Sequence, residues 1–439
     1  MHRLLIVPLL MSIGCTLHAQ PAGGTVLFEG ARLIVGDGSA AIENSAFLVE
    51  NNRFTRVGKK GELQPPAGAG RVDLTGKTVM PALIDAHTHL GWAVIKTNRV
   101  GSDTYSKENL IDHLRRIAYY GVAATQNMGT DAGDAAFELR ASPVPNAALL
   151  RTAGRGMALP NAGPGAEYWK PIAYGVTTEA EARKAVQELA AKKVDLVKFW
   201  VDDRNGTVPK LPPAIYKAII DEAHKNNLRA VVHVFYLADA KELLRSGVDG
   251  FMHVVRDQDV DDEFMKLIKA RPNVFVTPNL PERETTAEDF KLMGETVPAE
   301  EVQRERDELA KRSPEAVKKA RAFYDLQARN TAKLNAAGVR IVLGTDSGTS
   351  VGWTVHQELT DLVAAGLTPA QVITAATKNT AEVVRIDQLG TIAAGKSADF
   401  LVLDANPLDN INNTRRISKV YLRGAELDRA AMRAAWIGH

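Results

Sequence analysis

Eight short apolar runs, separated by stretches of helical periodicity and flanked at both chain ends by turn-rich segments of short alternating runs, predict an α/β protein. The expected architecture is a (β/α)8 TIM barrel carrying a small β-sandwich-like domain built from both ends of the chain. The eight runs are "ALIDAH", "VAATQNM", "ALLRTAG", "VDLVKFWV", "AVVHVF", "GFMHVV", "VFVTPNL" and "VRIVLGTD". A doubly wound open sheet is the alternative for this order, but no glycine-rich phosphate fingerprint follows the first run. With 439 residues, 45% of them hydrophobic, the chain can bury one large core and a second small one.

The start, "MHRLLIVPLLMSIGCTLHAQPAGG", has a basic beginning, an apolar stretch from Leu4 to Gly14 and a small-residue exit at Ala19. It reads as a signal peptide over residues 1–19, too short for a membrane span. A soluble protein exported to a bacterial periplasm, or secreted, is expected. Cys15, the only cysteine, falls inside this segment, so the mature chain would hold no disulfide. A lipid-attachment reading of "SIGC" fits less well, because Ser12 stands where an aliphatic residue is usual.

From Thr25 the runs "TVLFEGARLIVGDGSA", "SAFLVENNRFTRVG" and "RVDLTGKTVMP" suggest several short strands, and "LGTIAAGKSADFLVLDANPL" and "ISKVYLRG" repeat the pattern near the far end. Residues 20–79 and 389–439 are therefore expected to build the small β domain, and 80–388 the barrel. Two segments depart from the repeat. Residues 154–175, "GRGMALPNAGPGAEYWKPIAYG", form a Gly-, Pro- and Asn-rich loop after the third run, placed where it could cover a site. Residues 281–337, with "EEVQRERDELAKR", read as a solvated helical insertion, while a lid or subunit contact has no support in the sequence.

Lys and Arg number 54 against 52 Asp and Glu, a formal charge of +2. That balance gives no reason to expect nucleic acid or an acidic membrane as partner, so the expected partner is a small-molecule substrate. A homo-oligomer is compatible with the sequence.

The candidate chemistry gathers at the run ends, where a barrel places its active site. His87 and His89 share one face of an extended strand because residues i and i+2 point the same way. His233 follows the fifth run and His253 lies in the sixth. One such histidine is usually a hydrogen-bonded structural residue; four converging on one mouth suggest metal donation. Lys198, within "VDLVKFWV", either snorkels to water or is deprotonated and carboxylated, giving a carbamate able to bridge two metals. Asp346 either caps a helix start or binds metal and carries a proton. Tyr236, three residues after His233, is a candidate substrate contact or a structural tyrosine at a helix start. Asn127, Met128 and Arg155 sit at strand ends, and His356 reads as a surface residue.

His87-Thr88-His89, Lys198, His233, His253 and Asp346 occur in the order of the metal-ligand set of the amidohydrolase superfamily, each on the expected strand. The chain resembles the imidazolonepropionase-like branch that includes metal-dependent Xaa-Pro dipeptidases. "HQELTDLVAAGLTPAQVITAATKNTAEVV" and the "LGTIAAGKSADFLVLDANPL" that follows are similar to that branch's C-terminal region. The resemblance implies two divalent metal ions, zinc foremost, at a binuclear centre. His87, His89 and Asp346 would hold one metal, His233 and His253 the other, and N6-carboxylated Lys198 would bridge them. Asp346 would be catalytic, as proton shuttle. The chain departs from many relatives in "HVFY" on the fifth strand and in "ALIDAH", which lacks a glycine before the leucine; neither change touches an implied ligand.

The implied function is metal-dependent hydrolysis of an amide or peptide-like C–N bond, in a dipeptide or N-acyl amino acid. Lactone or ester hydrolysis, or cyclic amide opening, is the alternative on the same centre. A non-catalytic barrel scaffold is the reading from another class.

Overall fold

The computed structural model describes residues 24–281 and 283–438. The segment expected to be a signal peptide, residues 1–19 with Cys15, lies outside them. Among the described residues no helix is long and apolar enough to cross a membrane.

Each of the eight apolar runs contains a strand: Leu83–Thr88, Val122–Asn127, Leu149–Thr152, Val197–Val201, Ala230–Val234, Gly250–Met252, Phe275–Thr277 and Arg340–Ile341. The first three pair in parallel, as do the last five in chain order. Hydrogen bonds continue between these sets. The Asp195 amide donates to the Thr152 carbonyl, and the Ala86 and Asp346 amides donate to the carbonyls of Leu343 and His87. A parallel bridge between Thr88 and Ser347 reinforces the link from the eighth strand back to the first. These strands are largely buried, as parallel strands covered on both faces are.

The intervening helices follow from local chemistry. Asp261 caps Asp262–Lys269 by accepting from the Phe264 amide, and Phe264, Met265 and Ile268 bury one stripe. Thr178 and Glu181 form a reciprocal capping box that starts Glu179–Ala191.

The chain ends build two further sheets. Arg53–Lys59, Ser45–Glu50, Val26–Glu29 and Gly70–Asp73 form one; Arg32–Leu33, Thr78–Pro81, Phe400–Leu403, Ile417–Leu422 and Ala425–Glu426 form the other. Phe400–Leu403 runs antiparallel to Thr78–Pro81, joining residues over 300 positions apart. An aromatic cluster of Phe28, Phe47, Phe54, Phe400 and Tyr421 draws on both sheets, with Phe28 stacked on Phe47 at 5.0 Å and Phe400 on Tyr421 at 4.4 Å.

The 281–337 segment is helical, in Ala287–Met293, Ala299–Ala310 and Pro314–Ala336. It is more than a solvated insertion: Thr285 and Glu305 line the cavity that opens beside Asp346. Residues 154–175 carry the short strands Met157–Ala158 and Tyr174–Gly175 and a 3-10 turn at Glu167–Trp169.

Candidate metal centre

The first strand brings His87 into the interior, and His89 follows just past its end. The His87 Nδ1 is held by Asn279 Oδ1 at 2.8 Å, which leaves Nε2 at 3.2 Å from Asp346 Oδ1 and 3.4 Å from Lys198 Nζ. The His89 Nδ1 is held by Thr130 Oγ1 at 2.8 Å, and its Nε2 stands 3.1 Å from the same Asp346 oxygen. Ring orientation is thus set by groups that do not face the centre, the arrangement in which a metal-binding histidine keeps one nitrogen for the metal.

Asp346 is delivered by the loop after the eighth strand. Asp85, two residues before His87, accepts from the amides of His87 and Thr345 and from the Thr345 hydroxyl, tying that loop to the first strand. Gly344 permits the approach, since a Cβ there would lie 2.8 Å from His87 Cβ and 2.3 Å from the Thr277 side chain. Two non-glycine residues of the centre hold left-handed backbone, Asp346 at φ 56° and His253 at φ 88°. Aspartate tolerates that region; for histidine it costs on the order of 1–3 kcal/mol, a strain that accumulates at functional sites.

On the other side, His233 Nε2 meets Asp202 Oδ2 at 2.9 Å, so Nδ1 remains to face a ligand. His253 lies directly after the sixth strand rather than within it, and His233 lies inside the fifth rather than after it. The His253 ring is 4.6 Å from that of His233 and 5.2 Å from that of His87, and its Nε2 is 3.8 Å from Asp346 Oδ2. Arg256 donates to His253 Nδ1. Lys198 is fully buried inside the fourth strand, so it does not snorkel to solvent.

Burial governs the charge states. It depresses His87 and His253 well below the ordinary imidazole range and His233 to about 3, so all three are neutral at neutral pH, the form that donates to a metal. Burial also brings the Lys198 ammonium down to about 7. Asp85 is pushed up to about 7 by burial, against its three hydrogen bonds. Asp346 is 41% open along the cavity it lines, yet its carboxylate is ringed by protein. Burial pushes it up, and the neighbouring His87, His89 and Lys198, with the His89 hydrogen bond, outweigh this and hold it below the usual carboxylate range.

Candidate donor atoms of His87, His89 and Asp346 all lie within 4.8 Å of one another. Nitrogen and oxygen donors at this spacing fit a divalent metal. His233, His253 and Lys198 adjoin this triad, so the structure brings all six expected residues together. A cavity of about 250 Å3 opens beside them, lined among others by Asp346, Ser347, Trp353, Glu358, Asp361 and Glu305. From the 154–175 loop, the Trp169 ring lies 4.7 Å from that of His89, tilted by 36°, and covers one edge.

Other expected residues are engaged elsewhere. The Tyr236 hydroxyl donates to Asp203 Oδ1 at 2.7 Å, and the residue directly precedes the helix Leu237–Ser246. Arg155 donates to the Ile172 carbonyl and stacks on Tyr174, bracing the covering loop. Asn127 bonds Thr88, the Leu90 amide and Asp131, while Met128 is core. His356 is not a surface residue. It is fully buried between Thr414 and the Tyr120 carbonyl, because its helix packs against the chain's far end.

Sequence reading missed Asp85, Thr130, Asn279, Asp202, Arg204, Arg256 and Trp169. Asp85 and Asp202 had a local signal: a carboxylate two residues before the histidine pair, and one at the end of the fourth strand. The others meet their partners across intervals no spacing rule reports, such as the 192 residues between His87 and Asn279.

The amidohydrolase family model matches residues 78–427 of the chain. Ochratoxinase of Aspergillus niger is 27% identical over 442 residues, covering 88% of this chain and 82% of that one. Imidazolonepropionase of Deinococcus radiodurans is 26% identical over 408 residues, covering 88% and 92%. A solved Xaa-Pro dipeptidase with methionine bound in its active site superposes with a TM-score of 0.73 at 21% identity, over 92% of this chain and 100% of that one.

Proposed function

The chain belongs to the amidohydrolase family, whose members are metal-dependent, and on that premise we propose that it hydrolyses an amide or peptide-like C–N bond in a dipeptide or N-acyl amino acid. Ochratoxinase and imidazolonepropionase, hydrolases of C–N bonds, support the bond class. The observation that carries the reading is the pair of imidazole Nε2 atoms, each fixed through its other nitrogen, that converge on one Asp346 oxygen.

In this reading His87, His89 and Asp346 would hold one divalent metal, zinc foremost, and His233 and His253 would hold a second. Lys198, as its N6-carbamate, would be the ligand common to both. The buried amine, with its pKa near 7, is partly uncharged at neutral pH, the form that adds to carbon dioxide with release of a proton. When bound, the metals polarise the scissile carbonyl and lower the pKa of a water to about 7. Asp346 would take the proton of the attacking water and return it to the leaving nitrogen. Asp85 and Thr345 fix the loop that carries Asp346, Asn279 and Thr130 fix the two rings, and Trp169 shields His89 from solvent.

The parallel strands are read as a (β/α)8 barrel, 80–388, and the two antiparallel sheets as a small β-sandwich-like domain from 20–79 and 389–439. The aromatic cluster shared by those sheets supports the division. Export rests on residues 1–19. Recovery from the periplasmic fraction of a chain beginning at Gln20 checks it.

Metal analysis of the exported protein, with a hydrolysis panel of dipeptides, N-acyl amino acids, lactones and cyclic amides, tests the function. Two metals per chain, falling to one in Lys198→Ala, and turnover led by the linear amides are expected. Full activity in Lys198→Ala overturns the bridged centre, and turnover confined to lactones overturns the bond assignment.

A further inference from the structure

A buried carboxylate usually has a cation beside it, because burying an unpaired charge is costly. Asp131, just past the second strand of the parallel set, is 1% exposed, and among the described residues its hydrogen-bond partners are three neutral side chains. Its oxygens accept from the Tyr105 hydroxyl at 3.0 Å, from Asn127 Nδ2 at 2.7 Å and from the Thr152 hydroxyl. Within the candidate centre, His89 is the group whose positive charge would hold Asp131 ionised.

Three segments meet at this carboxylate. Asn127, which it holds, accepts through Oδ1 from the Thr88 hydroxyl at 2.9 Å and from the Leu90 amide at 3.0 Å, the residues on either side of His89. Its chain neighbour Thr130 places Oγ1 2.8 Å from His89 Nδ1. Thr152 carries the network to the base of the covering loop: its hydroxyl oxygen accepts from the Gly154 amide at 2.7 Å, the Asp131 amide donates to the Gly154 carbonyl at 3.1 Å, and Thr130 bridges to Arg155. The loop closes the circuit, since Trp169 lies against His89 and so near Gly348 that a Cβ there would stand 3.2 Å from its ring. The loop's hold on the opposite side, Arg204 from Asp202 to the Gly163 carbonyl, does not involve the His89 segment.

We propose that Asp131 is a positioning residue that links His89 to the covering loop, so that a metal held at His89 and the loop laid over it stabilise each other. This rests on the metal-binding reading above and adds a residue that touches neither metal nor substrate. A cation at His89 strengthens donation from Nδ1 to Thr130 and offsets the buried Asp131 charge. A fixed Asp131 in turn holds Gly154, from which the loop departs. Because such a linkage is reciprocal, loop placement raises metal affinity by the same factor by which metal favours the placed loop.

The test uses the full mature chain with and without zinc. Chelator competition reads metal affinity, and the rate of tryptic cleavage after Arg155 and Lys170 reads loop placement. Zinc is expected to slow that cleavage about fivefold or more in the wild type, within the usual range of a coupling between two sites. Asp131→Asn, close in shape, is expected to weaken zinc binding by about 10–100-fold, to lose most of the protection, and to alter the visible absorption of the cobalt(II)-loaded protein, which reports ligand geometry. Tyr105→Phe, which removes one donor from the network, is expected to weaken zinc binding by about threefold. Zinc affinity unmoved in folded Asp131→Asn overturns the proposal, whatever stability is lost; where that variant does not fold, unmoved affinity in Tyr105→Phe does so. Cleavage of the wild type at the same rate with and without zinc overturns the link to the loop. A wild type that binds no divalent metal overturns the metal-binding reading itself.

Discussion

Two groups of buried histidines sit in this molecule and differ in what their nitrogens touch. At the ends of the parallel strands, His87 and His89 each have one nitrogen tied to Asn279 or Thr130 and the other turned toward Asp346. In the core, His113 accepts from the Gly91 amide and donates to the Ala93 carbonyl, and His356 is engaged at both nitrogens by Thr414 and Tyr120. Burial depresses His113 to about 4 and His356 to about 3, much as it does His233. A depressed pKa therefore does not mark a functional histidine in this fold. The spare nitrogen does.

The largest expected effect lies on the side with spare nitrogens. Asp346→Asn keeps the shape of the side chain but removes the proton acceptor, and kcat is expected to fall by about 10²–10⁴-fold. Activity close to wild type would remove Asp346 from the chemistry. Next comes Asn279→Ala, which frees His87 Nδ1 without touching a proposed ligand. A loss of roughly 10–100-fold in metal affinity is expected, the usual cost of removing a partner that orients a ligand. Competition with a chelator reads it out, and unchanged affinity would mean that the ring is positioned by packing alone.

On the other side, His356→Ala strands the Thr414 hydroxyl and the Tyr120 carbonyl. It is expected to cost about 2–4 kcal/mol in denaturant unfolding while activity per folded molecule is kept. Loss of metal in this variant would erase the distinction between the two groups. The smallest effect, read per pH unit, is in the pH dependence. His356 is neutral in the fold down to about pH 3, whereas its unfolded form protonates near 6.5. Its contribution is thus fully present above pH 6.5 and is lost as pH falls toward 3, at about 1.4 kcal/mol per pH unit. Unfolding of metal-free His356→Gln is expected to show a pH slope shallower by one proton in that window, and an identical slope would show that His356 is already charged in the fold.

The strands and the ligand types were legible because both are local properties. Alternation and apolar runs report strands within eight residues, and a histidine pair at i and i+2 shares a face wherever it lies on a strand. Length was less legible: the sixth, seventh and eighth strands have three, three and two residues, so His253 and Asp346 stand on loops beyond them. His356 was misread because its partners belong to a distant segment, and the 281–337 insertion because its periodicity does not tell which of its side chains line a cavity.

From the sequence by itself came the order of the parallel strands, the six candidate donors and the near-neutral charge that points to a small-molecule substrate. Only the tertiary structure decided which nitrogen of each ring is spare, that Lys198 is sealed from solvent, that Glu305 reaches the cavity, and that Asp131 joins the His89 segment to the base of the covering loop. Strand formation and residue type act over a few neighbouring positions. Tautomer, burial and charge pairing depend on groups that meet only when the chain has closed on itself.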